Sequence, residues 1–94
     1  MPKSKPNDKE ASSRVVRACI SSNMDLYCLN EENVAVKLGV TQRTVQNKRA
    51  RPETFTLGEL WDLSKSLKLT PVQAASIVLG RPLTSKEVRE FILL

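Results

Sequence analysis

One short segment sets the architecture predicted for the whole chain: residues 35–45, which read AVKLGVTQRTV. Its central glycine, Gly39, has a leucine directly before it and a threonine two positions after it. Glycine adopts the left-handed conformation that ends a helix at little steric cost, and threonine favours the cap position that begins the next helix. The segment therefore predicts two short helices joined by a tight turn.

The apolar residues around Gly39 are spaced as a helix-turn-helix requires. Ala35 is small at the point where the second helix is expected to cross the first closely. The side chains expected to hold the two helices together are apolar: Leu38, Val40 and Val45. A random pair of amphipathic helices seldom offers the small residue, the glycine and these apolar positions together. The second helix is predicted over about residues 42–49, because Pro52 disfavours helical geometry in the residue before it.

Outside this segment, caps and apolar spacing predict the other helices. The apolar positions between residues 10 and 24 recur at helical intervals, residues 25–29 either extend that helix or form a turn, and Asn30 caps the helix that holds Ala35. Capping boxes open three more helices: Thr56-Leu-Gly-Glu59, Thr70-Pro-Val-Gln73 and Thr84-Ser-Lys-Glu87. The predicted fold is all-α, a compact five-helix bundle with an additional C-terminal helix.

We expect the aromatic residues to belong to the core or its rim. The three assigned there are Tyr27, Phe55 and Trp61. Trp61 shares one predicted helix face with Leu57, Leu60, Ser64 and Leu67. Only four aromatic residues occur, which argues against a base-stacking platform for single-stranded nucleic acid.

The composition narrows the class of function. Ninety-four residues suffice for one modest core, and 27% charged residues are ordinary for a globular domain. The chain has no histidine and no glycine-rich phosphate loop, so we do not expect an enzyme. Cys19 and Cys28 form no CxxC motif, so we expect no metal and no other cofactor. No segment has the pattern of a membrane span or signal peptide, so the expected location is the cytoplasm.

The chain divides into three predicted parts. Residues 1–9 are expected to form a flexible basic tail, residues 10–80 the helix-turn-helix domain, and residues 81–94 a C-terminal helix. The last part ends in apolar side chains assigned to a dimer interface: Val88, Phe91, Ile92 and Leu94. The alternative for these side chains is packing on the core of the same molecule.

The positive charge is concentrated beside the predicted turn. Five cations and no carboxylate lie between Asn33 and Pro52, within a chain of net charge +5. Such a block suits a polyanion, the alternative being a basic, solvated helix face. The outward side chains of the second helix are predicted to read bases in the major groove: Gln42, Arg43, Gln46 and Asn47. The predicted phosphate contacts are Thr41, Lys48, Arg49 and Arg51.

Residues 30–79 resemble the Cro/CI-type (Xre-like) helix-turn-helix domain of phage repressors and bacterial regulators. The segment 35–45 is similar to the core motif of that family, and residues 48–60, KRARPETFTLGEL, are similar to a subtype common in phage and Firmicute sequences. The resemblance implies a lambda-repressor-like bundle whose third helix enters the major groove, commonly as a dimer on a palindromic operator. By position it implies base contacts from Gln42, Arg43 and Asn47, with Gln46 nearby, and phosphate contacts from Thr41 and Arg51.

The chain departs from the family pattern at one informative place. The family usually has an apolar residue near positions 48 and 49, where this chain has Lys48 and Arg49. Either the methylene stems of these two cations cover the core there, or Ala50 and Phe55 take over that packing.

Two functional hypotheses result. The first is a sequence-specific regulator of transcription that binds double-stranded DNA, repressor-like, with a homodimer as its possible form. The second is a protein-interaction module on a helix-turn-helix fold, antitoxin-like or an anti-repressor adaptor, and the apolar C-terminal segment motivates it.

Overall fold

The helices begin and end where short polar residues and glycines interrupt the apolar pattern. The computed structural model describes residues 8–92, apart from the side chains of Asp8, Ser85, Val88, Phe91 and Ile92. This part of the chain forms six α-helices: α1 Asp8–Leu26, α2 Glu31–Leu38, α3 Gln42–Ala50, α4 Leu57–Ser66, α5 Pro71–Leu79 and α6 Ser85–Ile92. A 3-10 turn, Pro52–Thr54, connects α3 to α4. The prediction of an all-α bundle is confirmed.

The predicted caps are present as hydrogen bonds. Five cap side chains accept the backbone N–H three residues later, at 2.8–3.1 Å: Asn30, Thr41, Thr56, Thr70 and Thr84. The capping boxes at Thr56, Thr70 and Thr84 are closed by the side chains of Glu59, Gln73 and Glu87. Each bond satisfies a backbone N–H that the helix itself leaves without a partner.

The first helix is longer than predicted. α1 starts at Asp8, so the last two residues of the predicted tail 1–9 belong to a helix, and residues 1–7 lie outside the described part. The ambiguous segment 25–29 divides between the two alternatives. Asp25 and Leu26 extend α1, while Tyr27 and Cys28 form a turn in which Cys28 has a φ of 55°.

The core lies where α1, α2, α3 and α4 meet. Its buried apolar side chains are Val16, Ile20, Met24, Val34, Ala35, Val45, Leu63 and Leu67. Phe55 packs against this cluster from the segment between the 3-10 turn and α4. α2 packs on both α3 and α4, so it holds α3 in position relative to the rest of the bundle.

A pair of amides, the buried Asn23 and the half-buried Gln73, joins α1 to α5. The Nδ2 atom of Asn23 donates to the backbone oxygen of Leu67 at 2.8 Å and to Oε1 of Gln73 at 3.1 Å. Gln73 returns a hydrogen bond from Nε2 to Oδ1 of Asn23 at 2.6 Å. Buried polar groups of this kind specify one arrangement of helices, because leaving them without partners costs free energy.

The prediction that Leu57 and Trp61 lie on the buried face of α4 is wrong. Leu57 and Trp61 are each 61% exposed, whereas Leu63 and Leu67 are buried and Leu60 is half-buried. Positions 60, 63 and 67 form an apolar stripe of their own at helical spacing, and the helix turns this second stripe toward the core. Tyr27 is also at the surface, where Nζ of Lys68 lies 5.1 Å from its ring centroid.

The C-terminal helix opens with the capping box at Thr84. The guanidinium of Arg81 lies 2.6 Å from the carboxylate of Glu87 and, together with the backbone N–H of Thr84, holds the pKa of Glu87 at about 2. The residues assigned to a dimer interface fall outside what the structure describes: the side chains of Val88, Phe91 and Ile92, and the whole of Leu94. That assignment stays a prediction. Among residues 8–92, no helix has the length and apolar composition needed to cross a bilayer.

Candidate nucleic-acid interface

A three-residue turn joins α2 to α3. Gly39 has a φ of 70° and a ψ of 33°, the left-handed conformation predicted for it. Its N–H donates to the oxygen of Val36 at 3.2 Å, and the N–H of Val40 donates to the oxygen of Ala35 at 3.0 Å. Thr41 then begins α3 as its cap. The turn is therefore tight, and these two hydrogen bonds fix the direction in which α3 leaves α2.

The contact between α2 and α3 is closed by small and branched apolar residues. Val34, Ala35 and Val45 are buried, and Leu38 and Val40 pack against them from the ends of the turn. The methyl group of Ala35 fills its buried position without separating the helices. Val45 is the only residue of α3 that is fully buried in this contact, and the partly buried residues of the helix lie beside it.

The opposite line of α3 faces outward. A helix advances about 100° per residue, so Arg43 and Asn47 lie about 160° to either side of Val45. Gln42, Arg43 and Asn47 are exposed, and none of the groups that the structure describes bonds to their side chains. Arg43 and Asn47 therefore present a free guanidinium and a free amide opposite Val45. Gln42 lies about 60° from Val45 and presents its free amide at the N-terminal end of the helix. The exposed surface of these three residues is called here the outer face of α3.

Gln46, the fourth predicted base-reading residue, is placed differently. It is exposed at the edge of the outer face, but its Nε2 donates to Oε1 of Glu31 at 3.1 Å. Glu31 stands in the first turn of α2, so this bond joins the two helices on the side away from Gly39.

Lys48 turns back toward the bundle. Its Nζ lies 2.9 Å from Oε1 of Glu59 and donates to the backbone oxygen of Thr54 at 2.9 Å. The same Nζ lies 5.8 Å from the ring centroid of Phe55, and the Lys48 side chain is only 21% exposed. Lys48 therefore ties the end of α3 to the start of α4, and its stem occupies part of the position where the resembling family has an apolar residue.

Arg49 lies on the opposite side of Val45 from Lys48, and its side chain points toward α2 and α1. Its Nη1 lies 2.9 Å from Oε2 of Glu31, and its Nη2 donates to Oγ of Ser21 at 3.0 Å. The guanidinium thus joins α3 to α2 and α1, and the Arg49 side chain is 28% exposed. Both explanations for the missing apolar residue hold in part. The side chains of Lys48 and Arg49 are each less than a third exposed, and Phe55 packs against the core, whereas Ala50 is exposed.

Arg51 is the most open of the predicted phosphate residues. Its side chain is 73% exposed, with Nε 3.5 Å from Oε2 of Glu53, a loose contact. An open depression lies next to it along α3, lined in part by Thr44, Asn47 and Ala50. A chain of phosphates could run along this depression from the outer face to Arg51.

Arg17 of α1 was missed by sequence reasoning. Its Nη1 lies 3.5 Å from the backbone oxygen of Ala50, and its Nη2 lies 3.5 Å from Oε2 of Glu10. Arg17 lines a second depression in which both signs of charge meet, from Lys9, Glu10, Arg51 and Glu53. Arg17 and Arg51 are 34 positions apart, so only the packing of α1 against α3 brings their charges together. No signal within the segment 33–52 could have indicated this.

The segment 33–52 contains no carboxylate, but carboxylates from other parts of the chain lie close to it in the folded structure. Carboxylates from outside it reach three of its five cations: Glu59 at Lys48, Glu31 at Arg49 and Glu53 at Arg51. Arg43 and Lys37 are the cations of the segment that no carboxylate in the described structure approaches.

Comparison of the chain with protein-family models, with curated proteins and with solved structures found no match.

Proposed function

We propose that this protein is a sequence-specific regulator of transcription, repressor-like, which binds double-stranded DNA with α3 in the major groove. The observation that carries the proposal is the outer face of α3. Gln42, Arg43 and Asn47 are exposed and unbonded, while the other polar side chains of the helix are bonded within the molecule. The resemblance to the Cro/CI-type domain supports the same reading, as a likeness of residues 30–79.

The chemistry of the outer face suits base edges. The guanidinium of Arg43 matches the O6 and N7 acceptors of guanine, and the amides of Gln42 and Asn47 match the N6 and N7 edge of adenine. Such contacts discriminate between bases, whereas phosphate contacts supply affinity for any sequence. The outer face thus provides the part of recognition that depends on sequence.

We assign the phosphate contacts to Thr41, Arg51 and Arg17. Thr41 stands at the N-terminus of α3, where the helix dipole favours an anion, and the two arginines border the depression at its C-terminus. Lys48 and Arg49 are left out of this set because each has a carboxylate partner at 2.9 Å, whereas the carboxylates beside Arg17 and Arg51 lie at 3.5 Å, a looser contact. Their role in the proposal is to hold α3 in place.

A dimer would suit this mode of binding, because two recognition helices about 34 Å apart read successive major grooves. We keep the C-terminal segment that contains Val88, Phe91, Ile92 and Leu94 as the proposed contact between subunits. Its apolar ending remains the reason for that choice.

Selection from a random pool of duplex DNA tests the proposal. We expect recovery of a defined sequence, and affinity that falls linearly with the logarithm of salt concentration, with a slope of about −0.9 per phosphate contacted. The control is the same selection with the double variant Arg43→Ala and Asn47→Ala, which should lose the preference at the base pairs that these two residues read. A wild-type protein that enriches no sequence at either of two salt concentrations would refute sequence-specific binding.

A protein-interaction module is the second candidate. Leu57 and Trp61 lie one helical turn apart on α4 and are both 61% exposed, so they form one apolar patch at the surface. Quenching of Trp61 fluorescence by acrylamide distinguishes the cases. If acrylamide quenches Trp61 as it quenches a fully exposed tryptophan, no protein partner covers this side of α4. Weaker quenching means that a protein covers Trp61.

A further inference from the structure

One carboxylate stands between two side chains of α3. Oε1 of Glu31 accepts a hydrogen bond from Nε2 of Gln46 at 3.1 Å, and Oε2 accepts one from Nη1 of Arg49 at 2.9 Å. Each oxygen therefore has its own donor. Gln46 and Arg49 are three residues apart, so they lie one above the other on the same side of the helix.

Arg49 fixes the position of that carboxylate. Its guanidinium is planar, and it bonds Ser21 of α1 through Nη2 while it bonds Glu31 through Nη1. The side chain of Glu31 is only 25% exposed. With one oxygen held by Arg49, the other oxygen stays directed at Gln46.

The fixed carboxylate determines which way the amide of Gln46 points. An ionised carboxylate only accepts hydrogen bonds, so it bonds the amide nitrogen and repels the amide oxygen. The reversed amide would place two oxygen acceptors against each other. Gln42, on the same helix, has no partner among the described residues and can present its amide in either orientation.

We propose that Glu31 is a positioning residue that sets the base preference of Gln46, an inference that rests on the proposed DNA binding. The amide nitrogen has two hydrogens, of which Glu31 takes one. The other hydrogen and Oε1 remain as a donor and an acceptor in fixed order. That order matches N7 and the N6 amino group of adenine.

The fixed order also disfavours guanine. Guanine has the acceptor O6 where adenine has its amino group, so Oε1 of Gln46 would meet another acceptor. A freely rotating amide could turn its nitrogen toward O6 and lose this discrimination. Glu31 therefore gives Gln46 a preference for adenine over guanine that the glutamine alone would not have.

The test compares Glu31→Gln with Glu32→Gln. Glu32 is the neighbouring exposed carboxylate in the first turn of α2, with no bond to α3, so both variants remove the same charge. Affinity is measured by fluorescence anisotropy for the selected duplex and for duplexes changed at one base pair at a time. Gln46→Ala identifies the base pair that Gln46 reads.

At that base pair we expect the wild-type preference for adenine over guanine to be about tenfold. Glu31→Gln should reduce it to below about threefold and leave the preference at every other base pair unchanged, and Glu32→Gln should leave all of them unchanged. If both variants instead change affinity by the same factor for every duplex, Glu31 acts only through its charge and the inference is overturned.

Nuclear magnetic resonance of the free wild-type protein tests the contact without any variant. The side-chain ¹⁵N relaxation of Gln46 should show a restricted amide, while that of Gln42 shows a mobile one. Equal mobility of the two amides overturns the inference even where Glu31→Gln fails to fold. A wild-type protein without base preference refutes the proposed function instead, and the relaxation comparison still decides whether Glu31 orders Gln46.

Discussion

The Nζ atom of Lys48 lies 2.9 Å from Oε1 of Glu59, the same oxygen that accepts the backbone N–H of Thr56. One carboxylate oxygen thus closes the cap of α4 and joins that helix to the end of α3. The hydrogen bond from Lys48, and after it the N–H of Thr56, lowers the pKa of Glu59 below its ordinary value. Part of the stability of the fold therefore depends on an ionised Glu59.

We expect Glu59→Gln to weaken the pH dependence of stability in acid. The pKa of Glu59 is lower in the folded chain than in the unfolded chain, so its stabilisation is fully present above the unfolded value, about pH 4.3, and is lost as the pH falls through the lowered value. Urea unfolding at pH 7 and pH 3 measures this, with Glu32→Gln as the matched exposed control. If the free energy of unfolding falls by the same amount between pH 7 and pH 3 in the wild type and in Glu59→Gln, the prediction is contradicted.

Lys48→Met should lower stability without altering DNA recognition. The variant keeps an apolar stem beside Phe55 but loses the ion pair, at a cost of about 0.5–1 kcal/mol in the free energy of unfolding. The slope of log affinity against log salt should stay unchanged, whereas Arg51→Ala should reduce its magnitude by about 1. A reduced slope for Lys48→Met would show that this lysine contacts phosphate after all.

Arg43→Ala should relax the sequence preference at one base pair. Loss of a bidentate contact to guanine removes about 1–3 kcal/mol of discrimination there and little elsewhere. Lys65→Ala is the matched control, because Lys65 is an exposed cation of α4 that no described carboxylate approaches. Binding to the selected duplex and to its single-base variants measures the effect. The same uniform loss in both variants would mean that Arg43 contributes charge alone.

Asn23→Ala, which removes a buried side-chain amide, should lower the free energy of unfolding strongly. It leaves the backbone oxygen of Leu67 and the amide of Gln73 without their buried partner, at a cost of about 1–3 kcal/mol. Ser22→Ala, an exposed neighbour on α1, should change stability by less than about 0.5 kcal/mol. Denaturant unfolding of both variants gives the comparison. A loss as small as that of Ser22→Ala would mean that water replaces the amide.

Two glycines provide a matched test of backbone strain and of space. Gly39 and Gly80 have φ values of 70° and 72°, so alanine is strained at both, at about 1–2 kcal/mol. An added Cβ at Gly39 meets nothing within 4 Å, whereas at Gly80 it would fall 2.9 Å from Cβ of Ser12. Gly80→Ala should therefore lower the melting temperature more than Gly39→Ala. Equal losses would show that α1 moves aside without cost.

The helix boundaries could be predicted because their causes are local. Asn30, Thr41 and Thr56 each bond a backbone N–H three residues away, and Gly39 adopts its left-handed conformation within a short stretch of chain. Residue type and spacing contain this information directly. The all-α fold followed from the same signals.

The sequence could not reveal contacts between residues that are far apart along the chain. The partners of Lys48 and Arg49 are 11 and 18 positions away, so the sequence displayed two free cations where the structure has two ion pairs. Their positions on the helix, within about 60° of Val45, were already an indication that they flank the core. Trp61 was misplaced because α4 contains two apolar stripes, and only packing decides which one is buried.

The residues that anchor α3 and the residues it turns outward are separate sets. Val45, Lys48 and Arg49 hold the helix by packing and ion pairs, while Gln42, Arg43 and Asn47 bond to nothing else in residues 8–92. We therefore expect substitutions in the second set to leave the fold unchanged. If the proposed DNA binding holds, new target specificities require the exchange of only three residues on an unchanged scaffold, and a combinatorial library at these positions would test this.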